Sequence, residues 1–147
     1  MPDINQALLN ASNYPDHYKQ PTEFGDIDSF GHANNLAIAR YYENARARWL
    51  MSVFSVDIYS INHPVKPVLV ETKIQYLGQI FYPETVHIAT GISHIGNSSF
   101  SATQGIFRDG RCVGLCVATV VNMVSGKTAP IPVDTRSRME ALRIKNY

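Results

Sequence analysis

Phe24-Gly25-Asp26-Ile27-Asp28-Ser29-Phe30-Gly31-His32-Ala33-Asn34-Asn35, running on into Leu36–Phe54, is the stretch from which the rest of the chain can be read. It begins as a polar loop with two acids one residue apart and two glycines. It continues as an apolar run of helical period. Ile38, Tyr41, Tyr42, Ala45, Trp49 and Val53 recur at spacings of three and four, which makes one buried helix face. Asn34 or Asn35 suits the N-cap, where a short polar side chain accepts from the backbone N–H groups of the first turn. Leu50, Met51 and Phe54 broaden the apolar surface, and the small residues Ala37, Ala39, Ala45 and Ala47 let a sheet approach. The helix is expected to stop near Ser55.

Downstream the period changes from 3.6 to 2. Strands are expected over Val68–Leu77, Thr85–Ile95, Ser98–Phe107 and Cys112–Val124, with Gly96-Asn97 and Arg108-Asp109-Gly110-Arg111 as tight turns. A first strand over His17–Phe24 contains Pro21, which suits an edge or a bulge. Ala7-Leu8-Leu9 forms a short leading helix, and Asp134–Arg143 a short polar helix at the end. Short turns joining the four long strands imply an antiparallel sheet. One long helix facing one such sheet is an α+β two-layer arrangement. The length of 147 residues fits a single domain spanning 1–147, with its core over about 18–125.

Composition narrows the partners. The net charge is +1 with no basic stripe, which argues against nucleic acid. The start of the chain lacks a basic region followed by an apolar run, so no signal peptide is expected. The charge-free stretch 86–107 is broken by polar residues. The other, 112–126, falls short of the ~20 apolar residues that a membrane helix needs. Charged residues make up only 17%, so much of the surface is covered by a compact fold or by a partner subunit. Cys112 and Cys116 on one strand would lie ~13 Å apart, beyond disulfide reach. They read as buried thiols in a reducing compartment, and a cytoplasmic location is expected.

The loop meets the helix where orphan N–H groups and the helix dipole favour negative charge. A carbonyl set on those donors would be polarised. Asp28, on a turn that Gly31 folds back, can face the same carbonyl as nucleophile or as base for a water. On the residues alone, Asp-x-Asp before Gly is more often a solvated turn or an Asx cap than a catalytic pair.

Gly25-Asp26-Ile27-Asp28, Gly31-His32-Ala33-Asn34-Asn35 and then Tyr41 with Glu43-Asn44-Ala45-Arg46 resemble the hotdog-fold acyl-CoA thioesterases. They are similar in particular to the 4-hydroxybenzoyl-CoA thioesterase-like branch. Ile95-Gly96-Asn97-Ser98-Ser99-Phe100 and Gly126-Lys127 followed by Pro130-Ile131-Pro132 resemble two further family stretches, in the same order. The resemblance implies a hotdog fold, a curved antiparallel sheet of about five strands wrapped around one long central helix. It implies a homodimer or homotetramer with active sites at the subunit interface, and a substrate that is an acyl-CoA, hydrolysed to free acid and CoA. It implies no metal and no cofactor beyond the CoA of the substrate.

The same resemblance implies Asp28 as the catalytic carboxylate and the backbone N–H at or beside Asn35 as the oxyanion donor. Gly31, His32 and Asn34 would shape the pocket, and Asn97, Ser98 and Ser99 would line it from a neighbouring strand, in the partner subunit. Ala33, Leu36-Ala37-Ile38, Gly78-Gln79 and Asn97 depart from the commoner family residues, which bears on the acyl group and the CoA contacts. Asp26 reads as a turn-stabilising acid and Glu43 as an alternative carboxylate. Glu43 and Arg46 at i, i+3 read as an ion pair. His87 and His94, at odd spacing, read as facing opposite sides of a strand. The rival readings are a carrier-protein thioesterase, a hydratase or dehydratase, whose usual motifs are not found, and a non-catalytic acyl-binding protein.

Overall fold

The computed structural model describes residues 3–147. The chain forms β1 (Asp16–Pro21), α1 (Asn35–Phe54), β2 (Val65–Tyr76), β3 (Thr85–Ile95), β4 (Ser99–Arg108), β5 (Arg111–Val124), β6 (Lys127–Thr128) and α2 (Val133–Ala141). Two 3-10 turns, Gln6–Leu9 and Ala11–Asn13, stand where the short leading helix was expected. β1 stops at Pro21, three residues before the expected end. The chain then turns through Phe24–Asp26, where Glu23 and Asp26 cap each other's backbone N–H groups.

The sheet is antiparallel with the order β1-β3-β4-β5-β2, and β6 adds a short hairpin to β5. This is the hotdog arrangement, a curled sheet with α1 on one face. Register shifts in the β2–β5, β3–β4 and β4–β5 pairings supply local bends. One expectation is corrected. β2 and β3 are not hairpin neighbours, since β2 pairs with β5 and β3 with β1. Residues 77–84 therefore cross from the β2 edge, past β5 and β4, to β3 instead of turning back, so the short-turn argument fails at that connection.

α1 buries its stripe as the periodicity requires. Trp49, Val53 and Phe54 pack with Ile92, Phe100, Ala102 and Val120. Tyr41, Tyr42 and Ala45 pack with Val86, Ile88, Ile106 and Cys116. Helix and sheet meet closely at Gly114, where an added Cβ would stand 2.8 Å from the Tyr42 hydroxyl. Burying such side chains contributes about 1.5–3 kcal/mol each before chain entropy opposes it. α1 ends at Ser55 in the left-handed conformation, φ 54°. On the other face of the sheet, Leu8, Tyr14 and Ile144 cover Ala89, Phe107 and Leu115.

The Glu43–Arg46 ion pair does not form. Arg46 turns inward, and its Nη1 donates to Gln104 Oε1 at 3.1 Å, while Glu43 stays exposed. The helix presents position 46 to the sheet, where a buried amide offers an acceptor. A register shift between Ile92 and His94 interrupts the alternation on which the opposite-face reading of His87 and His94 rested. His87 Nε2 lies 2.9 Å from His17 Nδ1 on the neighbouring strand. Cys112 and Cys116 are both free, and burial pushes the Cys116 thiol up to about 11. β2 is a free edge, with Val68, Leu69 and Val70 exposed. No helix among the described residues is long and apolar enough to cross a membrane.

Candidate active site

Two backbone features fold the loop that precedes α1. The Gly31 N–H donates to Asp28 O at 3.0 Å, and Gly31 takes φ +87°, a conformation that glycine adopts without strain. Asp28 N–H donates to His32 O at 3.2 Å, closing a small loop on itself. The loop is then fixed to the sheet crossover, because Ala33 N–H donates to Ile80 O at 2.7 Å.

Within this loop the two acids have separate roles. Asp26 is 3% exposed. Its carboxylate accepts from Arg40, from the Tyr41 hydroxyl and from Glu23 N–H. Burial pushes its carboxyl up, but the bonds from Tyr41, Glu23 N–H and Arg40 outweigh burial and hold it below the usual carboxylate range. The same burial and the Asp26 charge push the Tyr41 hydroxyl up. This is a structural knot with no spare acceptor aimed outward, as the reading of Asp26 as a turn acid expects. Asp28 is half-buried, and its Oδ1 accepts only from Phe30 N–H, at 2.9 Å. Its other oxygen accepts no bond from the described residues.

Asn34 is the N-cap of α1, and its Oδ1 accepts from Ala37 N–H at 2.8 Å. Its backbone carbonyl accepts from Ile38 N–H. Asn35 and Leu36 are the first helical residues, so their N–H groups have no intrahelical acceptor. Asp28, His32, Ala33, Asn35 and Ile38 line one side of a cleft of about 490 Å³. Tyr76, Leu77, Gly78, Gln79 and Ile80 form its opposite wall. Carboxylate and helix start therefore open on one space. His32 stacks beside Phe30, with ring centroids 6.3 Å apart.

The remaining expected residues do not line this cleft within one chain. Gly31 shapes the turn and Asn34 caps the helix beside it. Asn97, Ser98 and Ser99 lie at the far end of the sheet. Ser99 pairs with Val121 and Tyr76 with Gly114 on the same strand, a separation of roughly 23 Å at the rise of a strand. Within one chain they do not meet Asp28. Asn97 O instead accepts from Ile131 N–H and Arg136. Glu43 lines a different cleft. The Tyr76–Ile80 wall was only partly visible beforehand. Gly78-Gln79 stood out as a departure, but nothing local to those residues says that they cross beneath the Asp28 loop. Among the described residues no cluster of three or more His, Cys, Asp or Glu is placed to hold a metal ion.

The profile of the thioesterase-like superfamily matches residues 22–139. Among curated proteins, none matches the chain in sequence. Solved structures do match. A Pseudomonas aeruginosa protein is 21% identical, with a TM-score of 0.83, covering 95% of this chain and 99% of its own. A Thermus thermophilus thioesterase complexed with coenzyme A and Zn is 25% identical, with a TM-score of 0.77 and coverages of 88% and 95%. A 1,4-dihydroxy-2-naphthoyl-CoA thioesterase from Synechocystis is 16% identical, with a TM-score of 0.74 and coverages of 86% and 96%.

Proposed function

Because the chain belongs to the thioesterase-like superfamily, we propose that it hydrolyses an acyl-CoA to a free carboxylic acid and CoA at the cleft between Asp28 and the start of α1. One observation carries the reading. The half-buried Asp28 and the unpaired helix-start N–H groups line the same space. The thioester carbonyl oxygen accepts from Asn35 N–H, which with the helix dipole stabilises the oxyanion. Asp28 attacks the carbonyl carbon directly, or removes a proton from the water that attacks it. The C–S bond breaks and the thiolate leaves. In the direct route, water then cleaves the acyl-aspartyl anhydride. A thiolate is a good leaving group, so a carboxylate is a sufficient base here. Asp26 is excluded from this role by its three donors.

The working unit in this proposal is at least a homodimer. β2 is a long edge strand whose apolar residues Val68, Leu69 and Val70 face solvent. Unpaired edges of this kind invite pairing, and two β2 strands related by a two-fold axis would join antiparallel. The Asn97–Ser99 turn then has a second chain to act on, which is the expectation drawn from the resemblance.

Thiol release from short, long and aromatic acyl-CoAs tests the reading, with Asp28→Asn alongside. The proposal expects turnover in the wild type and a loss of about 10²-fold or more in kcat for the variant, with folding retained. Turnover that survives the substitution would remove Asp28 as catalyst. Binding of acyl-CoA without turnover would favour the non-catalytic reading.

A further inference from the structure

The face of the sheet turned away from α1 carries a pair of imidazoles that thioester hydrolysis does not use. β1 and β3 pair antiparallel, with His17 opposite Ala89 and Lys19 opposite His87. Directly paired residues share a face, and so do residues two apart on one strand. His17 and His87 are therefore diagonal neighbours on the face where Ala89 packs with Tyr14 and Phe107. The His87 ring lies against Phe107, with centroids 6.4 Å apart. The Asp28 cleft takes Asn35 and Ile38 from α1 and shares no residue with this pair.

The two strands bring His17 Nδ1 to 2.9 Å from His87 Nε2, with the ring planes at 44°. Neither ring has another hydrogen-bond partner or a carboxylate partner among the described residues. An N–H···N bond fits this contact, with the proton on either ring. The same spacing fits two lone pairs on one cation. At a metal–nitrogen distance of about 2.0–2.1 Å, donors at about 90° to each other stand about 2.9 Å apart, and donors at the tetrahedral angle about 3.3–3.4 Å. The pair thus matches cis positions of a square-planar or tetragonal ion, the geometry of Cu²⁺ and Ni²⁺. Binding asks only that the shared N–H shift to the ring's other nitrogen, with no net loss of a proton. His17 is exposed and His87 half-buried, so a hydrated ion can reach both and keep water at its remaining positions. Lys19, on the same face, opposes a cation, but it is exposed and water screens its charge.

The geometry points to a two-histidine site, His17 and His87, for a divalent cation that favours imidazole, Cu²⁺ before Ni²⁺. It stands apart from the thioesterase reading. Its two ligands come from different strands, so a bound ion ties the edge strand β1 to β3 and favours the folded chain.

Calorimetric titration of the full chain, metal-stripped and free of any affinity tag, with Cu²⁺, Ni²⁺ and Zn²⁺ tests this. The expected result is one Cu²⁺ per chain, with Ni²⁺ and Zn²⁺ held more weakly. The electron paramagnetic resonance spectrum of the Cu²⁺ form should show a tetragonal ion with two equatorial imidazole nitrogens. His17→Gln and His87→Gln should each weaken Cu²⁺ binding at least about tenfold. His94→Gln, on β3 but outside the pair, should leave it unchanged. With free Cu²⁺ at a hundred times its Kd, the folding equilibrium should shift about 100-fold towards the native state in wild type, and about tenfold or less in either variant of the pair. Affinity untouched by both substitutions, or a spectrum with a single nitrogen, would overturn the site and leave the contact a hydrogen bond. Zn²⁺ held more tightly than Cu²⁺ would overturn the cis geometry. Should either variant fail to fold, the nitrogen count in the wild type decides alone.

Discussion

Replacing Asp26 by alanine would remove the acceptor for three donors at once. The Tyr41 hydroxyl belongs to a side chain that is 1% exposed, and it would be left buried without a partner, at about 1–3 kcal/mol. The Glu23 N–H bond, 3.0 Å and part-buried, contributes about 1 kcal/mol more. The Arg40 side chain is 52% exposed and can return to water, so its share is discounted to at most about 1 kcal/mol. The sum, roughly 2–5 kcal/mol, is a large part of the 5–15 kcal/mol that holds a typical domain together. For a chain of this length it corresponds to a melting point lower by about 5–20 °C.

Urea unfolding of Asp26→Ala, Tyr41→Phe and the double variant would measure this, since the two residues share a bond and should not add. The pH dependence has a definite sign. The folded carboxyl titrates below its unfolded value of about 3.9. Its contribution is therefore complete above that pH and is lost as pH falls through the folded value. The gap between wild type and Asp26→Asn should narrow in acid. An Asp26→Ala variant within about 1 kcal/mol of wild-type stability that had nonetheless lost thiol release would refute the reasoning. It would move Asp26 from the scaffold into the chemistry.

Three further outcomes follow from single contacts. Asn34→Ala removes the cap of α1 and should cost about 1 kcal/mol in urea unfolding; it should also lower kcat, because the same turn aims the Asn35 N–H. Tyr42→Phe removes a buried hydroxyl that has no partner among the described residues. It should leave stability unchanged or raise it by about 1 kcal/mol, and a clear loss would reveal a bond to the hydroxyl. Val70→Lys puts a charge on the exposed edge of β2. If the proposed β2 pairing forms the dimer, sedimentation should show the variant as a monomer, with activity falling alongside.

The sequence disclosed most where signals are local. The 3.6 period from Ile38 to Val53 marked α1 to within a residue at each end, because that stripe is the core itself. The limits of β3 were right for the same reason. Gly31 and the Asn pair marked the turn and the cap because those conformations demand those residue types. What stayed hidden depends on chain separation. Arg46 finds Gln104 across the core rather than Glu43 one turn away, and helical spacing carries no trace of that choice. The partner of β2 is likewise β5 and not the next strand, so the wall opposite Asp28 could not be drawn from neighbouring residues.

That pairing order also bears on how the molecule assembles. The β3–β4–β5 meander is local, closing through turns such as Arg108 to Arg111. The outer strands must wait, since β2 joins Val65 to Val124 and β1 joins Asp16 to Thr90. Contacts so distant along the chain carry a loop-closure cost that slows folding. The meander and α1 can therefore collapse first, while β1, β2 and the crossover from β2 to β3 dock later. The Asp28 cleft has one wall in that crossover, so this order of docking would complete the proposed site last. A polypeptide released early would show its sticky β2 segment to its neighbours before that site had closed. In the cell, this makes crowding during synthesis, more than the equilibrium stability of the finished fold, the point at which edge variants would be lost.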